Sequence, residues 1–341
     1  MRHTRQVRFG STELHTTTMG LGTVPLGNYL ETMTDEEAVA LVDAVWDHGV
    51  RLFDTAPFYG SGIAERRLGE ALAKRPRDEY VLITKVGRLL REDAPPAPEQ
   101  FAGPGGRSMF LDIPPLNVKH DYSYDGAMRS VEESLERMGA DRFDVVLIHD
   151  PDNFPEFYRQ SVEGAFPALA KLRDEGVISG VGVGINQAEM LVDYTRDTDM
   201  DVFLLAGRYS LLDHESTITS GLLDAVKRDD IAIMLGGVYN SGLLARPDVG
   251  ATFDYTTAPT DLVERARALQ AVCDRHDVPL MAAAIQFPLA EPGITTILTG
   301  VRSIPEIDQN VEMMNVPIPA ALWDELRAEG FVHESAPTPV D

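Results

Sequence analysis

Residues 51–85 read RLFDTAPFYGSGIAERRLGEALAKRPRDEYVLITK. The short apolar run closing on Asp54 predicts a buried strand over 51–54, and the β-rich run closing on Lys85 a second strand over 80–85. A loop and a helix over 64–73 lie between them. A strand, a helix and a second strand at this spacing form the unit from which parallel sheets are built.

The same alternation extends outward. Upstream, 6–9 and 13–16 flank Gly10-Ser11 as a small hairpin. A strand over 19–22 follows, then a helix over 35–48 with Ala38, Leu41, Val42, Val45 and Trp46 on one face. Thr34 with Glu37 makes a capping box for that helix, and Gly49 stops it. Downstream come a long connection and a helix over 125–138. Four strand–helix pairs follow: 144–149 with 161–175, 178–183 with 187–195, 202–205 with 217–228, and 231–235 with 260–276 and 280–290. The eighth unit is 295–298 with 304–314, and a last helix spans 320–329. Eight units predict an (α/β)8 TIM barrel with an N-terminal β-hairpin, one domain over 1–333 and a disordered tail over 334–341. A doubly wound open sheet is the alternative. No strand is followed by a GxGxxG turn, and Gly20-Leu21-Gly22 is too sparse for one.

The chain has 341 residues, 54 acidic against 30 basic, a net charge of −24. Such a surface repels phosphate backbones and anionic membranes, which argues against a nucleic-acid partner or a membrane surface. The single Cys273 excludes an internal disulfide framework and any multi-cysteine metal site, and no metal ligands are assigned. Residues 1–10 hold no apolar core of a secretory signal, and no apolar run is long enough to span a bilayer, so a cytoplasmic protein is expected. No heptad pattern argues for a fixed assembly, which leaves a monomer or a small homo-oligomer.

Two loops are long, 88–120 and 239–259. On a barrel, the loops after the strands build the active-site face, which makes both candidates for substrate contact. Phe101, Phe110 and Tyr122 are candidate pocket walls.

Asp54, Lys85 and His149 end three successive predicted strands, and Tyr59 lies in the loop after the first. A strand-terminal Asp is more often a turn residue, a strand-end Lys is usually solvated, and a His before Asp-Pro is often a core residue. Four such residues meeting at one barrel mouth are harder to explain by chance. Their chemistry is proton transfer. A free phenol titrates near 10, and a nearby ammonium is expected to lower that value. A carboxylate keeps the ammonium charged and in place. Tyr59 could then exchange a proton with a substrate oxygen that His149 holds by a hydrogen bond. None of the four accepts a hydride, so redox chemistry requires a cofactor.

The set Phe53-Asp54-Thr55-Ala56-Pro57-Phe58-Tyr59-Gly60, Glu65-Arg66-Arg67-Leu68-Gly69, Ile83-Thr84-Lys85-Val86, Ser134-Leu135-Glu136-Arg137-Met138-Gly139 and Val146-Leu147-Ile148-His149-Asp150-Pro151 resembles the aldo-keto reductases, in the right order over about residues 5–330. The resemblance implies an (α/β)8 barrel, a nicotinamide cofactor, and Asp54, Tyr59, Lys85 and His149 as catalytic residues with Tyr59 as general acid/base. Asp121-Tyr122-Ser123-Tyr124, Leu205-Ala206-Gly207-Arg208-Tyr209-Ser210 and Asn240-Ser241-Gly242-Leu243-Leu244 are similar to a sugar-oxidising branch. That branch includes L-fucose, L-galactose and D-threo-aldose 1-dehydrogenases, with a pyridoxal 4-dehydrogenase beside them. A sugar or pyridoxal-like substrate is implied, its hemiacetal carbon oxidised to a lactone with NAD.

The resemblance also implies cofactor contacts at Gly22, Thr23 and Asp54, and at the pyrophosphate loop Gly237, Ser241, Gly242 and Leu243. Contacts to the adenosine end are implied at Gly300, Arg302, Ser303, Glu306, Gln309 and Asn310. The chain departs from the commoner pattern in two places. Gly184-Ile185 and Ala206 stand where many members hold the carboxamide, which makes Asn186 the replacement candidate. Gly236 stands where a tyrosine usually stacks on the nicotinamide, and Tyr239 is the candidate substitute. Glu306 would repel a 2′-phosphate and favours NAD; Arg302 pulls towards NADP. The alternatives are an NADP-dependent reductase of small aldehydes and a cofactor-binding regulatory subunit without turnover.

Overall fold

Eight parallel strands close on themselves in the order β3-β4-β5-β8-β9-β10-β11-β14. This computed structural model describes residues 3–248, 250–254 and 256–339. The barrel strands are β3 (Met19–Gly22), β4 (Leu52–Asp54), β5 (Val81–Val86), β8 (Val145–His149), β9 (Gly180–Ile185), β10 (Val202–Ala206), β11 (Ala232–Gly236) and β14 (Ile294–Thr299). Three antiparallel pairs stand outside the barrel: β1 (Gln6–Arg8) with β2 (His15–Thr17), β6 (Arg88–Arg91) with β7 (Asn117–His120), and β12 (Thr252–Phe253) with β13 (Thr256–Thr257).

The helices lie on the outside: α1 (Asp35–Asp47), α2 (Ile63–Leu72), α3 (Tyr124–Met138), α4 (Pro155–Gln160), α5 (Phe166–Asp174), α6 (Ala188–Asp197), α7 (Glu215–Thr219), α8 (Leu222–Asp229), α9 (Thr260–Arg275), α10 (Leu280–Gln286), α11 (Ile304–Asn315) and α12 (Ala320–Ala328). The main apolar layer lies between them and the barrel. The barrel has its own interior core of Leu52, Val81, Ile83, Val145, Leu147, Val202, Ala232, Met234 and Leu298. Phe9, from the β1–β2 hairpin, is fully buried in that core and plugs the barrel end opposite the strand C-termini. A Cβ at Gly10 would lie 2.3 Å from the Asp201 carbonyl oxygen, so only glycine lets the hairpin approach this closely.

The Thr34–Glu37 capping box forms as expected, and Gly49 follows the end of α1 at a φ of +82°. The segment expected as one helix over 161–175 begins earlier. Pro155 takes the first turn of α4, and a π turn over Ser161–Ala165 joins it to α5. Gly164 lies in that turn, where a Cβ would come within 2.6 Å of the Tyr122 carbonyl oxygen. The helix expected over 217–228 is two pieces, broken at Gly221 with a φ of +84°. In the segment set apart at 334–341, Glu334 and Ser335 are exposed and residue 336 turns inward to the main apolar layer. Ala336 is buried and its carbonyl accepts from Arg327 at 3.0 Å. Among the described residues, no helix is long and apolar enough to cross a membrane.

Candidate active site

Side chains alternate in direction along a strand, so every second residue of a barrel strand faces the axis. Leu52 and Asp54 share that face on β4; Val81, Ile83 and Lys85 share it on β5; Val145, Leu147 and His149 share it on β8. The three strands are neighbours. The last inward position on each carries an ionisable group in place of an aliphatic one. Tyr59 reaches them from the turn after β4. That turn is clamped by glycine against glycine: a Cβ at Gly60, φ +65°, would meet the Gly27 carbonyl oxygen at 2.4 Å.

Lys85 is the hub. Its Nζ donates to Asp54 Oδ1 at 2.8 Å and Oδ2 at 2.7 Å, to the Thr55 carbonyl at 2.9 Å and to Tyr59 Oη at 3.0 Å. Lys85 and Asp54 are 1% and 2% exposed. Removing one member of such a buried pair leaves the other without its counter-charge. Burial pushes the Asp54 carboxyl up while Lys85 pulls it back. The His149 ring stands perpendicular to Tyr59 with centroids 5.7 Å apart. Burial first, then the charges of Arg88, Lys85 and His120, hold its imidazole well below the ordinary range. His149 is thus a neutral ring and can donate one hydrogen bond. Its Nδ1 has no partner among the described residues.

Tyr59 departs from expectation. Burial pushes its hydroxyl well above 10, Asp54 and Asp150 add to the effect, and Arg88 opposes it. Desolvation outweighs the lowering expected from the adjacent ammonium.

The loop over 88–120 is ordered by the β6–β7 hairpin, which its many prolines and glycines concealed. At its base Arg88 is buried, 3.0 Å from Asp150 Oδ2, with its guanidinium 4.7 Å above the Phe58 ring. Glu99 lies 4.0 Å from Arg88 Nε and 2.6 Å from His120 Nε2. Sequence reasoning missed all four charged groups; an arginine directly after a barrel strand was the available signal. Phe110 packs on Phe58 with centroids 5.4 Å apart. Leu30 N donates to the Met109 carbonyl at 3.0 Å, and Tyr29 bridges Phe110, so the loop is tied across the mouth. Of the proposed walls, Phe110 lines this edge and Phe101 is 47% exposed. Tyr122 is fully buried and donates to the His149 carbonyl at 2.6 Å, which makes it a support and not a wall.

The sequence pattern of the aldo/keto reductase family matches residues 18–329. The chain belongs to the aldo/keto reductase family. It is 40% identical over 336 residues to a pyridoxal 4-dehydrogenase of Microbacterium luteolum, covering 95% of this chain and 96% of that protein. It is 39% identical over 324 residues to a D-threo-aldose 1-dehydrogenase of a Pseudomonas species, covering 94% and 95%. Among solved structures, an aldo-keto reductase from Bacillus halodurans in its holo form superposes with a TM-score of 0.73 at 22% identity, covering 96% of each chain. This aldo/keto reductase is accordingly an NAD(P)-dependent oxidoreductase with a closed (α/β)8 barrel.

The segments expected to meet the cofactor ring the same mouth. Gly22 pairs with Asp54 at the end of β3, and Thr23 N donates to the Asp54 carbonyl at 3.0 Å. Asn186 follows β9, and its N–H donates to Asp152 Oδ2 at 2.9 Å. The turn after β11 runs through positive φ at Gly237, Asn240, Ser241 and Gly242, a conformation suited to an anion. Leu243 is buried beneath it. Tyr239 Oη donates to Asn310 Oδ1 at 3.1 Å and so ties that turn to α11, where Gln309 is exposed. Gly300, Arg302 and Ser303 lead into α11. Glu306, exposed in its first turn, accepts the Arg302 N–H at 2.8 Å. The buried oxygens Thr23 Oγ1 and Asn240 Oδ1 lack partners among the described residues, and a Cβ at Gly242 would meet nothing within 4 Å. Open glycine backbone with unspent polar atoms fits a dinucleotide.

Proposed function

We propose that this aldo/keto reductase oxidises the hemiacetal carbon of an aldose, of the L-fucose, L-galactose or D-threo-aldose type, or of pyridoxal, to a lactone, with NAD as oxidant. The observation that carries this is the Lys85 ammonium, 3.0 Å from Tyr59 Oη and held by both oxygens of Asp54. Tyr59, as the phenolate that the adjacent Lys85 ammonium stabilises, takes the proton of the substrate hydroxyl and becomes the neutral phenol, while neutral His149 donates a hydrogen bond to the same substrate oxygen. Bound nicotinamide supplies the hydride acceptor. Gly22, Thr23, Asn186, the 237–243 turn and the 300–310 segment would hold the dinucleotide. The aromatic edge of Phe58, Phe110 and Tyr29 suits a pyridine ring or the apolar face of a sugar. The names of the relatives at 40% and 39% identity support the same chemistry.

The Glu306 carboxylate supports NAD, since it would repel a 2′-phosphate. One observation favours the second reading, an NADP-dependent aldehyde reductase: Arg302 is exposed, with its guanidinium 5.7 Å from the Tyr29 ring centroid. NADH formation with L-fucose, L-galactose, D-arabinose and pyridoxal, run in parallel with NADP, separates the two. An NAD-linked rate on one of these substrates is expected. Silence across the panel with NADPH-driven reduction of simple aldehydes would overturn the proposal.

A further inference from the structure

Arg88 is a buried cation that the acid/base scheme does not use. Its side chain is 2% exposed, and it follows Lys85 by three residues because Gly87 turns the chain at a φ of +105°. A Cβ at Gly87 would lie 2.2 Å from the Tyr122 ring, so the turn and that ring are fitted to one another. Arg88 opens β6 opposite His120 on β7. Its guanidinium touches Asp150, the residue directly after His149, which is held in the left-handed region at a φ of +43°. Tyr122, an Arg88 neighbour, donates to the His149 carbonyl. Arg88 thus reaches His149 indirectly, through Asp150 and through Tyr122. It also faces Phe58, the residue next to Tyr59.

We propose that Arg88 is a positioning residue of this reaction, which fixes His149 through Asp150 and Tyr122 and sets a buried guanidinium at that corner of the site. The charged groups around Tyr59 and His149 are Asp54 from β4, Lys85 from β5, Arg88 from β6, Glu99 from the loop, His120 from β7, and Asp150 and Asp152 after β8. Lys85 is matched by Asp54. Asp150 shares its carboxylate between Arg88 at 3.0 Å and His149 Nε2 at 3.5 Å. Arg88, paired with Asp150, still opposes proton uptake by His149 after burial, and it is the group that opposes the burial holding Tyr59 protonated.

The inference rests on the proposed roles of Tyr59 and His149, so its test has a readout that needs no turnover. In the cofactor-free full chain, the His149 imidazole is followed by NMR, its signals assigned by their loss in His149→Gln. It is expected to stay neutral through the range where a free imidazole titrates and to take up its proton at higher pH in Arg88→Gln than in wild type. In turnover, the limb of kcat/KM that rises with Tyr59 ionisation moves to higher pH by about one unit in Arg88→Gln, which is a tenfold loss of rate at fixed pH. Asp150→Asn removes the opposing charge and moves the same limb to lower pH. Arg88→Lys keeps the charge but loses the planar fork, so it restores the pH profile and lowers kcat. Superimposable His149 titrations and pH profiles in wild type and Arg88→Gln, with only Tm changed, would overturn the proposal. Should Arg88→Gln not fold, an unmoved profile in Asp150→Asn overturns it equally. An inactive wild type with a shifted His149 titration would instead fault the substrate reading.

Discussion

Lys85 Nζ stands 3.0 Å from Tyr59 Oη and 2.7 Å from Asp54 Oδ2, which makes one ammonium the shared partner of a base and its counter-charge. The two contacts have different consequences, one for rate and one for stability.

Tyr59→Phe removes the transferable proton while keeping the ring beside His149. A kcat loss of about 10² to 10⁴ is expected, the range for a general acid/base. Cofactor affinity, followed by quenching of tryptophan fluorescence, should stay near wild type. A near-wild-type kcat would remove Tyr59 from the chemistry.

Lys85→Met leaves Asp54 without its cation in a site with 2% exposure. Breaking a buried pair in this way costs about 3–5 kcal/mol. Urea unfolding should show that loss, and pairing it with Asp54→Asn should recover much of it. Equal stability of Lys85→Met and wild type would contradict the buried pairing.

Asp152 sits next to Asp150 with its carboxyl pushed up to about 6 by burial and by that neighbour. A raised folded value means that the protonated carboxyl contributes stability at low pH. The contribution is lost as pH rises from about 3.8 through about 6. Asp152→Asn cannot lose it and still offers an acceptor to Asn186 N–H. Relative to wild type the variant should gain on the order of 2 kcal/mol between pH 4.5 and 7. Parallel unfolding curves at both pH values would refute the shift.

Glu306→Arg should raise the preference for NADP over NAD by about five- to tenfold, the scale of one exposed charge contact. Glu306→Gln keeps an acceptor for the Arg302 N–H and tests charge alone. Ratios of KM for the two cofactors are the measurement, and an unchanged ratio in both variants would place the 2′-position away from this residue.

Gly69→Ala places a Cβ 2.1 Å from the Met138 carbonyl oxygen, so α2 and α3 must part. Roughly 1–3 kcal/mol should be lost, read as a lower Tm with kcat per folded molecule unchanged. A normal Tm would mean that the helices are not in contact there.

Much of this barrel could be read from local pattern. The short apolar runs at Leu52–Asp54, Val81–Val86 and Val145–His149 mark the strands, and the alternation of side chains along a strand turns their last inward positions into Asp54, Lys85 and His149. The resemblance also ran through residues with no place at the reaction centre, and the structure explains them. Glu65, wholly buried, accepts from Thr84 at 2.9 Å and Arg137 at 2.5 Å. Arg67 donates to the Leu26 carbonyl at 2.6 Å and to Asp35 at 2.8 Å. These are ties between β/α units. What pattern could not reveal is non-local. The β6–β7 pairing joins residues on either side of a loop with no periodicity. The sign of the Tyr59 shift is set first by burial, which no spacing encodes.

The β6–β7 segment begins at Arg88 beside the reacting groups, passes through Phe110 at the substrate edge and returns to Tyr122 under His149. Anything that exchanges this loop therefore exchanges two traits at once. A graft chosen to admit a new ring would bring its own charge to the base of the hairpin. On the role proposed for Arg88, substrate range and working pH travel together in any exchange of residues 88–122, and a designer who wants one without the other must cut the graft between Arg91 and Asn117.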